Sequence, residues 1–156
     1  MSTREAVPTE AHVEQILGHA AQRGERMGLR YAGAVTPQEA HRLREAGAAV
    51  IVDVRTPPEY MQVGHAPETP LIEWPRNGGR AEMQVFLDAL RAQFGPSEKL
   101  LFICRSGVRS HYAAELAAHA GYESAYNVLE GMEGEYGAGT NGWIAAGLPI
   151  SRARAS

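Results

Sequence analysis

Apolar residues recur along this chain with two different periods, and their alternation predicts the layout of the fold. Val13, Ile16, Leu17 and Ala20 share one face of a helix that Thr9 can cap and that fades across residues 24–28. Residues 31–35 read as a short strand. Thr36-Pro37-Gln38-Glu39 then spells a helix start: a capping threonine, a proline at the first helical position and a glutamate that closes a capping box. Ala40 and Leu43 face inward on that helix, and Gly47 ends it. Residues 48–54 (AAVIVDV) form a continuous apolar, β-branched run, the pattern of a strand buried on both faces of a parallel sheet. Thr56, Pro57 and Pro58 break it; a turn of helix is expected over residues 59–62, a short strand over 70–73 and a glycine-rich turn over 76–80.

Farther on, Met83, Phe86, Leu87, Leu90 and Phe94 repeat at helical spacing, and Gly95-Pro96 stops that helix. Residues 99–104 (KLLFIC) are a second buried strand, 108–120 a helix closed by Gly121, and 124–129 a third strand. Residues 130–142 hold too many glycines for regular structure throughout. A last short helix is expected at 141–146, after which Gly147-Leu148-Pro149 ends the fold. Strands alternate with helices, so the class is α/β with a mainly parallel sheet. A chain of 156 residues fits one such domain, with a helical extension at 1–29, the main domain at 30–150 and a tail at 151–156.

Composition narrows the function. Apolar residues are 44% and charged residues 21%, the balance of a soluble globular chain. A net charge of -3 gives no general reason to expect nucleic acid or an anionic membrane as partner. No apolar run approaches the roughly 18 residues of a membrane span. The first ten residues are polar and lack the apolar core of a signal peptide, which together with the lone thiol suits a cytoplasmic protein. The single cysteine permits neither an intrachain disulfide nor a thiolate-rich metal site. Neither His12/His19 nor His111/His119 has the one-turn spacing of a helical metal site. Gly131, Gly134 and Gly137 have the wrong spacing for a dinucleotide loop. Trp74 and Trp143 read as packing anchors.

Chemistry concentrates in Cys104-Arg105-Ser106-Gly107-Val108-Arg109-Ser110, between a buried strand and a helix. Ligands of open α/β sheets bind beyond the carboxyl ends of the strands, where helix N-termini present free N–H groups and partial positive charge. A lone cysteine ending an apolar strand is, by itself, most often an inert core residue. Two arginines, a glycine that lets the chain curl and a helix start in the next few positions reverse that reading. The segment should form a small cradle for an anion centred on sulfur.

This loop resembles the active-site loop of the rhodanese family. Two further elements sit in family order: Val52-Asp53-Val54-Arg55 with Glu59-Tyr60 and Gly64-His65 upstream, and Val128-Leu129-Glu130-Gly131 with Gly142-Trp143 and Ala146-Gly147-Leu148-Pro149 downstream. The resemblance spans about residues 33–150 and implies a central, mainly parallel five-stranded sheet flanked by helices, with the N-terminal helix as an addition. It also implies that Cys104 is a nucleophile carrying sulfur as a persulfide. The backbone of Arg105, Ser106, Gly107, Val108 and Arg109 would bind the substrate, with Arg55 nearby or, alternatively, in an ion pair with Glu59. Asp53 and His65 are expected to be structural. The implied partners are a small anionic sulfur donor and a thiol or protein acceptor, with no metal or organic cofactor.

The chain departs from the family after His65, where Ala66-Pro67-Glu68-Thr69-Pro70 replaces the usual apolar residue and Gly-Ala. Rival readings are a persulfide relay with little turnover of its own, and a cysteine phosphatase or arsenate reductase of related architecture. Four residues separate Cys104 from Arg109, one fewer than in cysteine phosphatases that share the fold. The shorter loop leaves a cradle sized for one sulfur atom and Arg109 one place early for a bidentate phosphate grip.

Overall fold

The structure, a computed structural model, describes residues 9–75, 77–139 and 141–153. Residues 1–8, Arg76 of the glycine-rich turn, Thr140 and the last three residues of the tail lie outside the described residues. Four strands, β1 (Gly33–Val35), β2 (Val50–Asp53), β3 (Leu100–Ile103) and β4 (Ala125–Val128), pair in parallel in the order β1-β4-β3-β2. Around them lie helices α1 (Glu10–Met27), α2 (Pro37–Glu45), α3 (Arg80–Gln93) and α4 (Val108–His119), with a π-type turn at Glu59–Val63. Among the described residues no helix is long and apolar enough to cross a membrane.

The three apolar runs lie side by side, and their uniform hydrophobicity has the expected cause. Leu100 and Phe102 of β3 enter one core with Val52, Phe86, Leu90 and Ala113, while Leu101 and Ile103 enter a second with Ile16, Leu43, Ile51 and Val128. Both faces of the sheet are therefore covered. The capping box forms as the sequence spells it: Glu39 N–H donates to Thr36 Oγ1 (3.2 Å), and Thr36 N–H donates to Glu39 Oε1 (2.9 Å). The same carboxylate takes both nitrogens of the Arg23 guanidinium at 2.6 and 3.0 Å, tying α1 to α2.

Three expectations change. Four strands form rather than five. The fifth position is held by residues 70–74, where only Leu71 bridges to Asp53; Asp53 N–H meets Pro70 O (3.0 Å) and Trp74 N–H meets Val54 O (2.9 Å). Pro67, Pro70 and Pro75 have no N–H to extend that ladder. Residues 141–146 form turns instead of a helix, because Gly142 has φ 101° and the amides of Trp143 and Ile144 donate back to Gly131 O (2.8 Å) and Met132 O (3.1 Å). The tail is fastened at its start. His65 and Ser151 exchange backbone bonds of 2.9 and 2.7 Å, and Arg152 donates to Gln62 O and Val63 O.

The N-terminal helix is part of the body of the domain. A Cβ on Gly33 would overlap the Ala20 carbonyl, and one on Gly24 would come within 3.1 Å of Gly33 Cα, so α1 lies backbone to backbone on the edge strand β1. Gly33→Ala should therefore cost about 1–3 kcal/mol by overpacking. Gly18, on the same helix with nothing within 4 Å of its absent Cβ, should instead gain up to about 1 kcal/mol as Ala. Urea unfolding of both variants checks this; a neutral Gly33→Ala would show that the close approach carries no stability.

Candidate active site at the carboxyl edge of the sheet

β3 delivers Cys104 to the carboxyl edge of the sheet, and α4 starts four residues later. Cys104 is 1% exposed and belongs to the apolar core beside Phe102 and Ala113, yet its sulfur also has two polar contacts. Gly107 N–H donates to Cys104 Sγ at 3.1 Å, and Ser110 Oγ lies 3.2 Å from it. Gly107 has φ 97°, which turns its amide back toward the sulfur before the helix begins.

The loop is held open by its neighbour. Met132 N–H and Glu133 N–H donate to the carbonyls of Cys104 and Arg105, each at 2.8 Å. This close docking requires Gly131: its φ is 57°, and a Cβ there would overlap Cys104 O. Arg105 is half-exposed; its Nε lies 3.3 Å from Glu133 Oε2, and its guanidinium lies against Gly137. Ser106, Gly107 and the exposed Val108 border an open cavity of about 470 Å³ with Tyr31, His111 and Asn127. Tyr31 Oη and His111 Nδ1 are 2.7 Å apart there. Burial pushes the Tyr31 pKa up to about 12, against the pull of hydrogen bonding to Asn127.

The two remaining arginines are held by carboxylates. Arg109 grips both oxygens of Glu59, at 2.7 and 2.8 Å. Burial alone would raise the Glu59 pKa, but Arg109 and Thr56 pull it down to about 2. The same hydrogen bonds raise the Arg109 pKa, against its own burial. Thr56 N–H and Oγ1–H also donate to Glu59, at 3.1 and 3.0 Å, so the pair ties the start of α4 to the segment after β2. Arg55, expected near the substrate, has no exposed side-chain surface. Its guanidinium is engaged by Asp53 Oδ2 (2.8 Å), Gly64 O (2.8 Å) and Glu59 O (3.4 Å). Its charge partner is thus Asp53; the Glu59 carboxylate is taken by Arg109. His65 stacks on Tyr60 (centroids 3.5 Å apart) and meets Tyr60 O through Nδ1 at 2.8 Å, a turn-stabilising place.

Of the site residues read from sequence, the structure sets Gly107 against the Cys104 sulfur, places Ser106, Gly107 and Val108 on the neighbouring cavity, pairs the half-exposed Arg105 with Glu133 and turns Arg109 and Arg55 into braces. Three residues outside that set matter. Ser110 touches the sulfur, Asn127 holds Ser110 (2.6 Å) and Gly107 O (3.1 Å), and Glu59 anchors Arg109. Asn127 had a visible signal, as the one amide inside the buried strand Ala-Tyr-Asn-Val.

Residues 36–136 match the family model described as rhodanese-like domain. Thiosulfate sulfurtransferase 16, chloroplastic, of Arabidopsis thaliana is 31% identical over 122 residues, covering 77% of this chain and 93% of that protein. The uncharacterized protein RC0915 of Rickettsia conorii is 32% identical over 108 residues, covering 65% of this chain and 81% of that one. Among solved structures, Rv0390 from M. tuberculosis superposes with a TM-score of 0.66 at 39% identity, covering 79% of this chain and 99% of that chain.

The Glu59–Arg109 pair has a pH signature. A carboxylate with a lowered folded-state pKa stabilises fully above its ordinary value of 4.5, and the contribution disappears as pH falls toward about 2. Wild type should thus melt higher than Glu59→Gln at neutral pH, and the gap should close progressively through that acid window. Thermal scans at stepped pH measure it; a gap independent of pH would mean that the ionised carboxylate adds nothing.

Proposed function

The chain belongs to the rhodanese family, and from that premise we propose that it is a sulfurtransferase that moves sulfane sulfur from thiosulfate or a related donor to a thiophilic acceptor through a Cys104 persulfide. The observation that carries this reading is the contact of Cys104 Sγ with the Gly107 amide at 3.1 Å, in a loop whose first two carbonyls are already taken by Met132 and Glu133. Such a loop offers N–H groups to an anion. The similarity to a plant protein named as a thiosulfate sulfurtransferase supports the choice of donor.

In the first half-reaction the Cys104 thiolate attacks the outer sulfur of thiosulfate, the S–S bond breaks, and sulfite leaves with the bonding electron pair. In the second, cyanide or a thiolate attacks the terminal sulfur of the persulfide and Cys104 leaves as thiolate. Ping-pong kinetics follow. A reducing compartment such as the cytoplasm would keep the lone thiol ready for loading. The chain's own residues supply the covalent carrier and the anion cradle, with no cofactor required.

One observation favours a relay between proteins as a second reading. Both loop arginines are paired, Arg105 with Glu133 and Arg109 with Glu59, which leaves less free charge to draw in a small dianion. The phosphatase reading is disfavoured by the same geometry, since Arg109 is held by Glu59 and the loop is short for a phosphate.

Incubation with thiosulfate should add one sulfur to Cys104 by mass spectrometry. Cys104→Ser should abolish both that adduct and the production of thiocyanate from cyanide. The wild-type protein should leave p-nitrophenyl phosphate intact. Turnover that survives in Cys104→Ser would overturn the assignment. Loading by a protein persulfide with negligible turnover of thiosulfate would favour the relay.

A further inference from the structure

The hydrogen bonds behind Cys104 have a fixed direction, and that direction is set by a residue that does not touch the sulfur. Asn127 belongs to β4, and its side chain is buried on the face from which α4 rises. Its Nδ2 lies 3.1 Å from Gly107 O. A carbonyl can only accept, so the nitrogen must face it, and the carboxamide oxygen must face the other way. That oxygen lies 2.6 Å from Ser110 Oγ. A carboxamide oxygen also only accepts, so the Ser110 hydroxyl donates to it. The hydroxyl has one hydrogen, now spent. What Ser110 presents to Cys104 Sγ at 3.2 Å is a lone pair.

A neutral thiol suits this arrangement, with S–H donating to Ser110 Oγ while Gly107 N–H donates to the sulfur. A thiolate does not. It would face the Ser110 lone pair, and it could gain the hydroxyl hydrogen only by taking it from Asn127, leaving a buried amide oxygen without a donor. A persulfide escapes this conflict. Its negative charge sits on the outer sulfur, one bond farther into the cradle, and the inner sulfur is neutral, so Ser110 can keep its hydrogen on Asn127.

We infer that Asn127 is a positioning residue that, by holding the Ser110 hydroxyl hydrogen away from Cys104, slows without preventing the thiolate attack by the unloaded cysteine that loading requires, while leaving the loaded persulfide unhindered. The second half of this statement rests on the sulfur-carrier reading of Cys104; the first half does not. The carbonyl of Gly107 is the fixed point of the relay: it orients Asn127, which orients Ser110, which sets what the sulfur meets.

The test is alkylation of the unloaded protein by iodoacetamide across a range of pH, with near-ultraviolet circular dichroism to confirm the native fold. Asn127→Leu frees the Ser110 hydrogen for the sulfur. Alkylation at neutral pH should quicken by about tenfold, the effect of one hydrogen bond gained by a charged group, and the pH profile should move toward acid. Asn127→Ala serves the same arm should the leucine variant not fold. Asn127→Asp keeps an acceptor for Ser110, so its rate should stay at or below wild type. In a Ser110→Ala background, Asn127→Leu should have no effect on the rate, because the relay is cut.

A purely structural asparagine would give leucine and aspartate variants that change in the same direction, and an effect that persists without Ser110. Either result overturns the inference. A separate arm preloads the protein with thiosulfate and follows discharge to cyanide. Asn127→Leu should change that rate far less than it changes alkylation, and an equal change would remove the discrimination between thiol and persulfide. Failure of the wild type to load would end the sulfur-carrier reading and leave the alkylation result standing on its own.

Discussion

The amides of Met132 and Glu133 hold the carbonyls of Cys104 and Arg105 at 2.8 Å, and these two bonds fix which backbone groups the loop can turn toward Cys104. A peptide unit whose oxygen is drawn outward has its dipole turned, so the positive ends of the following units are free to face inward. Left unbonded, the same carbonyls would point negative charge at the reaction centre or require water. The loop after β4 thus prepares the loop after β3. Gly131 makes this possible because the two backbones meet without a side chain between them. The glycine-rich stretch is in this sense the brace of the site.

Charge is handled economically around this frame. The buried Asp53–Arg55 pair fastens the end of β2 to Gly64, and Arg109 fastens the start of α4 to Glu59. A buried ion pair stabilises little beyond its own desolvation, and its use lies in fixing geometry. In the proposed reaction, recognition of the anion would fall to backbone N–H groups, which cannot swing away and which lose no side-chain entropy on binding. Arg105, half-exposed beside Glu133, is the more exposed of the two loop cations.

The fold was legible wherever a local pattern carried its own cause. Apolar runs marked β2 and β3 because both faces of those strands are covered, and Thr36 to Glu39 announced α2 because capping chemistry is local. The missing fifth strand could not be separated from a real one by hydrophobicity, since residues 70–74 are apolar enough but start on Pro70 and are followed by Pro75, neither of which has an N–H. At the site, the closeness of Cys104 to Gly107 and to the start of α4 was legible because loop and helix start are contiguous. The arginine partners were not: Arg109 lies 50 residues from Glu59, and either glutamate or aspartate could have claimed Arg55. The role of Asn127 was hidden for the same reason, being a contact that only the β4–α4 packing creates.

The order β1-β4-β3-β2 also carries a consequence for the time course of folding. β1, with α1 resting on it, has β4 as its strand partner, and β4 is the last strand in the sequence. As the chain leaves a ribosome, β2 can find β3 once about two thirds of the residues are out, but the N-terminal portion must wait until residue 128 has emerged before it has a bed to lie on. Closing so long a loop is entropically slow. The α1–β1 unit therefore waits for a strand made about ninety residues after β1, and during that interval the β1 edge that β4 will cover stays unpaired.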